Sequence, residues 1–319
     1  MKLNNIGIAL LGLSGLAFAQ DGAAPSAAAP NPLKVALRRW YQANHSGVSA
    51  PTGSGTALLF DGVSLWASDQ SHGRLLRMRP SDGAVLQTLA VGTPGPLATD
   101  GINLWVSSGN TLLKLRASDG STLASLDIPT GAGGLAFDGL NLWVLTGGFS
   151  DPAVVRVQAT SAKATLRLQL TAGRPAESIL FDGTSVWIAQ NGLVKIRPTD
   201  GVILDTFSGG LEPLGLTFDG ANIWAADNAG QVLKVRASDG ANLGIFPMTN
   251  FSPVDIVFDG TSVWVTSQVG NAVKKLRATD GAELATVTLP NQPTGLLGSG
   301  LAFDGANVWV LADNNAFKL

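Results

Sequence analysis

Leu214 to Phe246 reads LGLTFDGANIWAADNAGQVLKVRASDGANLGIF, four short β-patterned runs separated by turn residues. Leu214–Phe218 reads as a first strand, Asp219-Gly220-Ala221-Asn222 as a tight turn and Ile223–Ala226 as a second strand. A loop at Asp227–Gly230 leads to a third strand, Val232–Arg236. Ser238-Asp239-Gly240 then turns the chain into a fourth, Asn242–Phe246. Asp-Gly between β runs is a strong hairpin signal, because Gly accepts positive φ and the Asp side chain hydrogen-bonds its own turn. No helical periodicity of adequate length interrupts the pattern, which argues against a βαβ arrangement.

The same unit recurs along the chain. Asp61, Asp100, Asp138, Asp182, Asp219, Asp259 and Asp304 are each followed by Gly. Five residues after each comes a Trp: Trp66, Trp105, Trp143, Trp187, Trp224, Trp264 and Trp309. These are seven of the eight Trp in the chain, and their aspartates stand 37 to 45 residues apart. A period of that length, built from short apolar runs and turns, marks a radial β-repeat. The second turn recurs at Asp82, Asp119, Asp200, Asp239 and Asp280, whereas the third repeat, Arg156 to Ser161, has lost its Asp-Gly.

The last repeat stops at Phe317-Lys318-Leu319, in the middle of a third strand. A closed ring then needs its missing fourth strand from elsewhere, and Leu33 to Tyr41 (LKVALRRWY) is the unassigned strand-like run. Residues 33–319 number 287, seven units of 41. The expected fold is all-β, a seven-bladed β-propeller of four-stranded blades, closed by an N-terminal strand that completes the last blade. Closure leaves only short, protected edges. Blades stack on both faces, so the second strand should be apolar on both sides. The residue before each Trp is expected to face one neighbouring blade and the Trp the other. The buried indole N–H then needs a partner.

The chain of 319 residues is 45% apolar and 14% charged, with no cysteine and a net charge of −2. Near-neutral charge argues against a nucleic-acid footprint, which needs a clustered basic surface. Residues 1–19 read as a secretory signal: Lys2, the apolar stretch Ile6 to Leu16, and Ala17-Phe18-Ala19 as the cleavage site. That stretch is short for a membrane span, and no later segment comes close. Residues 20–32 are an Ala/Pro-rich linker, expected to be disordered. The reading is an exported protein, periplasmic or extracellular, and a monomer.

The pattern Phe-Asp-Gly-x-Asn/Ser-Val/Leu/Ile-Trp, followed by Lys-Val/Leu-Arg-x-Ser/Thr-Asp-Gly, resembles the bacterial secreted propellers of the YVTN/NHL-like group. The streptogramin lyases are similar members of that group. The resemblance covers residues 33–319 and implies the propeller fold. For activity it implies a range from lyases and lactonases to plain binding proteins. The lyases are associated with a His and Glu pair late in the propeller. Here the two histidines are His45 and His72, both early, so no catalytic residue carries over.

Chain direction sorts the loops onto two faces. With the first strand innermost, both Asp-Gly turns of each blade lie on one face, where turn chemistry explains the aspartates. The opposite face carries irregular loops, where functional variation concentrates. Arg174, Glu177, Glu212 and Asp255 fall near the entrances of innermost strands there, with Asp227, Asn228, Asp69, His72, Gln190 and Gln268 around them. Arg174, Glu177, Glu212, Asp255, Asp227 and Asn228 are the ligand-binding candidates. The third-strand basic residues, such as Arg77, Lys114, Lys234 and Arg236, read as a solvated outer strand with charge pairing to neighbours, which also guards against edge aggregation. No Ser-His-Asp set, Cys nucleophile, phosphate loop or paired His ligands appears. The functional expectation is a binding module for a protein, glycan or small polar ligand at the irregular face and channel mouth. No cofactor is expected, although the acids leave room for a divalent cation there. The alternative is a metal-assisted lyase or lactonase using Glu177, Glu212 and Asp255.

Overall fold

Apolar runs cut by Asp-Gly turns fold into seven four-stranded antiparallel sheets. The computed structural model describes residues 49–53, 55–207, 211–269, 272–289, 297–312 and 314–319, with backbone only at 297–299. All lie within the unit His45–Leu319. The first strand in the chain, β1 (Ser49–Pro51), belongs to the last blade. Blade 1 is β2 (Gly55–Phe60), β3 (Leu65–Asp69), β4 (Arg74–Met78) and β5 (Val85–Ala90). Blade 2 is β6 (Pro94–Thr99), β7 (Asn103–Ser108), β8 (Thr111–Arg116) and β9 (Thr122–Asp127). Blade 3 comprises β10 (Gly134–Phe137), β11 (Asn141–Thr146), β12 (Ala153–Gln158) and β13 (Lys163–Gln169). Blade 4 comprises β14 (Ser178–Phe181), β15 (Val186–Ala189), β16 (Leu193–Ile196) and β17 (Ile203–Phe207). Blade 5 runs β18 (Pro213–Phe218), β19 (Asn222–Asp227), β20 (Gln231–Arg236) and β21 (Asn242–Pro247). Blade 6 runs β22 (Pro253–Phe258), β23 (Ser262–Ser267), β24 (Ala272–Arg277) and β25 (Glu283–Thr288). In blade 7, β26 (Leu297–Phe303), β27 (Val308–Ala312) and β28 (Asn315–Lys318) are followed on the outside by β1.

The first strands touch one another in order around the ring, and β26 returns to β2. The protein is a seven-bladed β-propeller. Its ring is closed by Ser49–Pro51, which pairs antiparallel with Asn315–Phe317. This differs from the closing segment read from sequence, Leu33–Tyr41, which lies outside the described residues. Three residues suffice because β28 is itself short, and Thr52 N–H extends the pairing to the Asn314 carbonyl at 2.7 Å. No helix among the described residues is long and apolar enough to cross a membrane.

Seven apolar clusters correspond to the seven junctions between blades. Trp66 packs with Leu104 and Val106 of blade 2, while Leu65 beside it packs with Trp309 and Leu311 of blade 7. Trp224 likewise faces Val263 and Val265 of blade 6. The expected alternation therefore holds, and the indoles are almost fully buried. Each indole finds its N–H partner in its own repeat. Trp224 Nε1 donates to Asp219 Oδ2 at 2.7 Å, and Asp219 Oδ1 accepts the Ala221 and Asn222 amides. The same bond joins Trp66 to Asp61, Trp105 to Asp100, Trp143 to Asp138, Trp187 to Asp182, Trp264 to Asp259 and Trp309 to Asp304. The Asp-Gly and the Trp are thus one device, in which the turn carboxylate satisfies the polar edge of the core residue.

The third-strand basic residues divide into two sets, of which one fits the expected solvated, charge-paired strand and the other corrects it. Arg79, Arg116, Arg197, Arg236 and Arg277 are half-exposed and pair with the second-turn aspartates three residues on. The other set lies against the core. Lys234 Nζ sits 4.9 Å from the Trp224 ring centroid and donates to the Ala278 carbonyl of the next blade at 2.7 Å. Lys114 and Lys195 repeat both contacts, on Trp105 and Ala159, and on Trp187 and Ala237. Lys318 stacks on Trp309 and reaches the Pro80 and Ser81 carbonyls of blade 1, so the clasp also spans the closure. The second turn fits close under the preceding blade. At Gly240, φ is +73°, and a Cβ there would lie 1.8 Å from the Phe207 ring of blade 4.

Candidate functional site

The innermost strands enclose a channel of about 900 Å³, and a second cavity of about 480 Å³ opens at its mouth on the irregular face. Both are bordered by Thr56, Pro96, Gly133 and Glu177, so the smaller cavity is a hollow in the channel rim beside blades 1 to 4. The reason it opens there is legible strand by strand. Five residues before the turn Asp, within or just before the innermost strand, stand Thr56, Gly95, Gly133, Glu177, Leu214 and Val254 in blades 1 to 6. Blades 2 and 3 thus have glycine where their neighbours carry side chains. Neither Gly95 nor Gly133 has a positive φ, so no turn demands them. A Cβ at Gly95 would point over Ser107, 3.9 Å from its Cβ and 4.0 Å from its Oγ.

The Ser107 side chain forms the floor of the hollow. The residue is 5% exposed, and its hydroxyl has no hydrogen-bond partner among the described residues. Gln70, just after β3, and Thr93, just before β6, add an amide and a hydroxyl that also lack side-chain partners among the described residues. Thr130 Oγ1 instead accepts the Gly147 amide at 2.8 Å and fixes the start of the β11–β12 loop. That loop, Gly147 to Pro152, carries Phe149 at 68% exposure, next to the rim residue Gly148.

Of the six candidates read from sequence, Glu177, Asn228 and Asp255 border the channel, and Arg174, Glu212 and Asp227 do not. Arg174 and Glu212 form an ion pair across the connections into blades 4 and 5, both about half exposed. Asp227 is fully buried and accepts the Glu212 and Ala229 amides at 3.0 and 3.1 Å and Gln231 Nε2 at 2.7 Å. It holds a loop in shape. Asn228 accepts Ser252 Oγ and borders the channel. Asp255 faces the channel from β22 and accepts the Ile256 and Leu301 amides, each at 2.8 Å, the second from blade 7. Burial raises its carboxyl above the usual range, against the pull of those two amides.

Glu177 is the candidate that belongs to the hollow. Its backbone amide is held by the Ala189 carbonyl at 3.0 Å, while its carboxyl has no partner among the described residues. Enclosure by the channel wall raises that carboxyl too. Glu177 and Asp255 both border the channel, whereas Glu212 does not. Among the described residues, no three of His, Cys, Asp and Glu come together as a metal-ligand set. Glu177, Glu212 and Asp255 are thus not gathered into one cluster among the described residues.

Of the surrounding polar residues, Asp69 is held by Arg74 Nε at 2.7 Å, His72 Nδ1 at 2.9 Å and Ser71 Oγ at 2.8 Å. Gln190 ties the Thr171 and Arg174 carbonyls. Both side chains hold loops. Gly95, Gly133, Ser107 and Phe149 do not stand out as reactive side chains in sequence, because two have none and the others are unremarkable alone. The signal in sequence was the substitution of Gly at one repeat position in adjacent blades.

No family model and no curated protein sequence matches the chain. Among solved structures, the β-propeller domain of Cps50 (Swd1) from Myceliophteria thermophila superposes with a TM-score of 0.71. That match covers 86% of this chain and 98% of that one at 13% identity. Likeness at that identity shows the fold alone.

Proposed function

We propose that this propeller is an exported binding module, and that its ligand seat is the hollow at the channel mouth beside blades 1 to 4. The observation that carries the reading is the pair Gly95 and Gly133, which open the hollow without any backbone requirement for glycine. Its volume of about 480 Å³ is in the range of small-ligand sites, which sit in concave, pre-formed positions. The repeat pattern supports a place among the secreted YVTN/NHL-like propellers. Lys2, the apolar run to Leu16 and Ala17-Phe18-Ala19 support export. An enzymatic reading has weaker support. Its acid Glu212 is engaged by Arg174, and Asp255 is engaged by backbone amides.

A thermal-shift screen of the full chain against small polar molecules and divalent metals tests the seat, since a ligand bound only to the folded state raises apparent stability. The expected result is a compound that stabilises the wild type and has no effect on Gly95→Val. An equal shift in both proteins would place binding elsewhere and overturn the seat. A reporter active only outside the cytoplasm, fused after residue 32, tests export. Cytoplasmic retention would reject it.

A further inference from the structure

The hollow at the channel mouth has a chemistry that selects among ligands. Taking it as the ligand seat proposed above, we infer that it binds a neutral carbohydrate, with hydroxyls toward Ser107, Thr93, Gln70 and Glu177 and an apolar sugar face on Phe149.

The floor is the most demanding part of the hollow. A hydroxyl buried to 5% exposure with no partner among the described residues is a cost that a bound donor or acceptor removes. Ser107 both donates and accepts, as do the Gln70 amide and the Thr93 hydroxyl. Three groups of dual character around one hollow match a ligand whose every hydroxyl is also dual.

Charge narrows the choice further. Among the described residues, Glu177 is the one charged residue bordering the hollow, and Arg174 nearby is already paired with Glu212. Anions therefore meet a carboxylate and no free cation. A carboxylate accepts two adjacent hydroxyls well, since bonds to an ionised acceptor are the strong ones. An ammonium ligand would gain only this one acid and would leave Ser107, Thr93 and Gln70 with little to do.

The loop that carries the rim residues Gly147 and Gly148 offers an apolar side chain one residue beyond the rim. Phe149 is an aromatic ring at 68% exposure on a loop whose base is pinned by Thr130. A single exposed apolar residue is ordinary in itself; what recommends Phe149 is its place in the chain next to the rim residue Gly148. An aromatic face suits the C–H face of a pyranose, whose polar groups lie at its edges.

The test is a printed array of neutral glycans probed with the labelled full chain, followed by competition with the free sugar that scores highest. Carbohydrate binding predicts saturable binding that the free sugar displaces. Phe149→Ala, on an exposed position that leaves folding intact, should weaken it about fivefold or more. Ser107→Ala should weaken it about threefold to tenfold, at the scale of one hydrogen bond. Leu243→Ser, on the outer strand of blade 5, should leave it unchanged. No displaceable glycan binding, or binding unaffected by both Phe149→Ala and Gly95→Val, overturns the proposal. Choline and spermidine serve as cationic probes in the thermal-shift assay. Stabilisation by either that is lost in Glu177→Gln, with no glycan bound, would reject the carbohydrate while keeping the hollow as a ligand seat. Absence of any ligand sensitive to Gly95→Val would reject both.

Discussion

The Lys234 ammonium lies over the indole of Trp224 and at the same time donates to the Ala278 carbonyl, which belongs to the following blade. The same indole donates its N–H to Asp219. One tryptophan therefore links its own turn to its own third strand, and through Lys234 to its neighbour. Repeated around the ring, this converts a sequence period into blade-to-blade adhesion.

Removing the indole should be costly. Trp224→Ala is expected to lower unfolding free energy by about 3–5 kcal/mol, in line with other large-to-small core changes. Trp224→Phe keeps much of the packing but withdraws the donor from Asp219 Oδ2, at about 1–3 kcal/mol. Urea denaturation measures both, and wild-type stability in the Ala variant would contradict the packing role.

Two basic residues on one strand should behave differently. Lys234 is 8% exposed and bonded across the blade junction, so Lys234→Met should cost about 1.5–3 kcal/mol, the scale of a hydrogen bond to a charged group. Arg236 is half-exposed and pairs with Asp239, so Arg236→Met should change stability by no more than about 1 kcal/mol. Equal effects in calorimetry would show that the strand is uniformly solvated after all.

The turn carboxylates set an acid limit. Burial alone would raise Asp259. The Trp264 indole, the Thr261 and Ser262 amides and the Thr261 hydroxyl outweigh it and hold the carboxyl at about 2. Asp219 and Asp100 are lowered for the same reason, against the same burial. A carboxyl lowered in the folded state contributes stability that is present above its unfolded value, about 3.9, and lost as pH falls through the folded one. The melting temperature should therefore fall between about pH 4 and 2. Asp259→Asn should lose stability at pH 7 and show a shallower fall over that window.

Glu177 works in the opposite sense. Its enclosed carboxyl is raised, so the folded state disfavours its charge above the unfolded value of about 4.3. Glu177→Gln should therefore melt slightly higher than wild type at pH 7, with the difference vanishing below about pH 4. A lower melting temperature for the variant at pH 7 would indicate a stabilising partner for the carboxylate.

The closure can be tested at one residue. Ala50 is 3% exposed and packs with Leu65, Ala67 and Trp309. Ala50→Asp places a charge in that junction and should lower the melting temperature by several degrees, because a buried unpaired carboxylate is strongly disfavoured. An unchanged melting temperature would mean that Ser49–Pro51 contributes little to the closed ring.

Much of the fold was legible because the repeat states it seven times. The four runs read between Leu214 and Phe246 are the four strands of blade 5, to within a residue at each end. Closure by an N-terminal strand was legible too, but not which residues form it, since Leu33–Tyr41 has a strong β pattern and Ser49–Pro51 has almost none. Only three pairs and the register against Asn315–Phe317 define the latter. The candidate site was less legible. Arg174, Glu212 and Asp227 look available in sequence, yet each is spent on an ion pair or on backbone amides that only folding brings near.

The sequence by itself determined the blade count, the turns and the core, because local chemistry repeated at a fixed spacing has one way to bury its tryptophans. It also determined that Asp and Trp recur together. That they bond to one another, and that Lys234 fastens Trp224 to the next blade, depended on strand register and blade stacking. The position of the hollow was likewise a tertiary matter. Gly95 and Gly133 stand 38 residues apart in the chain, and only the curvature of the ring brings both to one hollow, Gly95 over Ser107 and Gly133 beside Ala176 and Leu145.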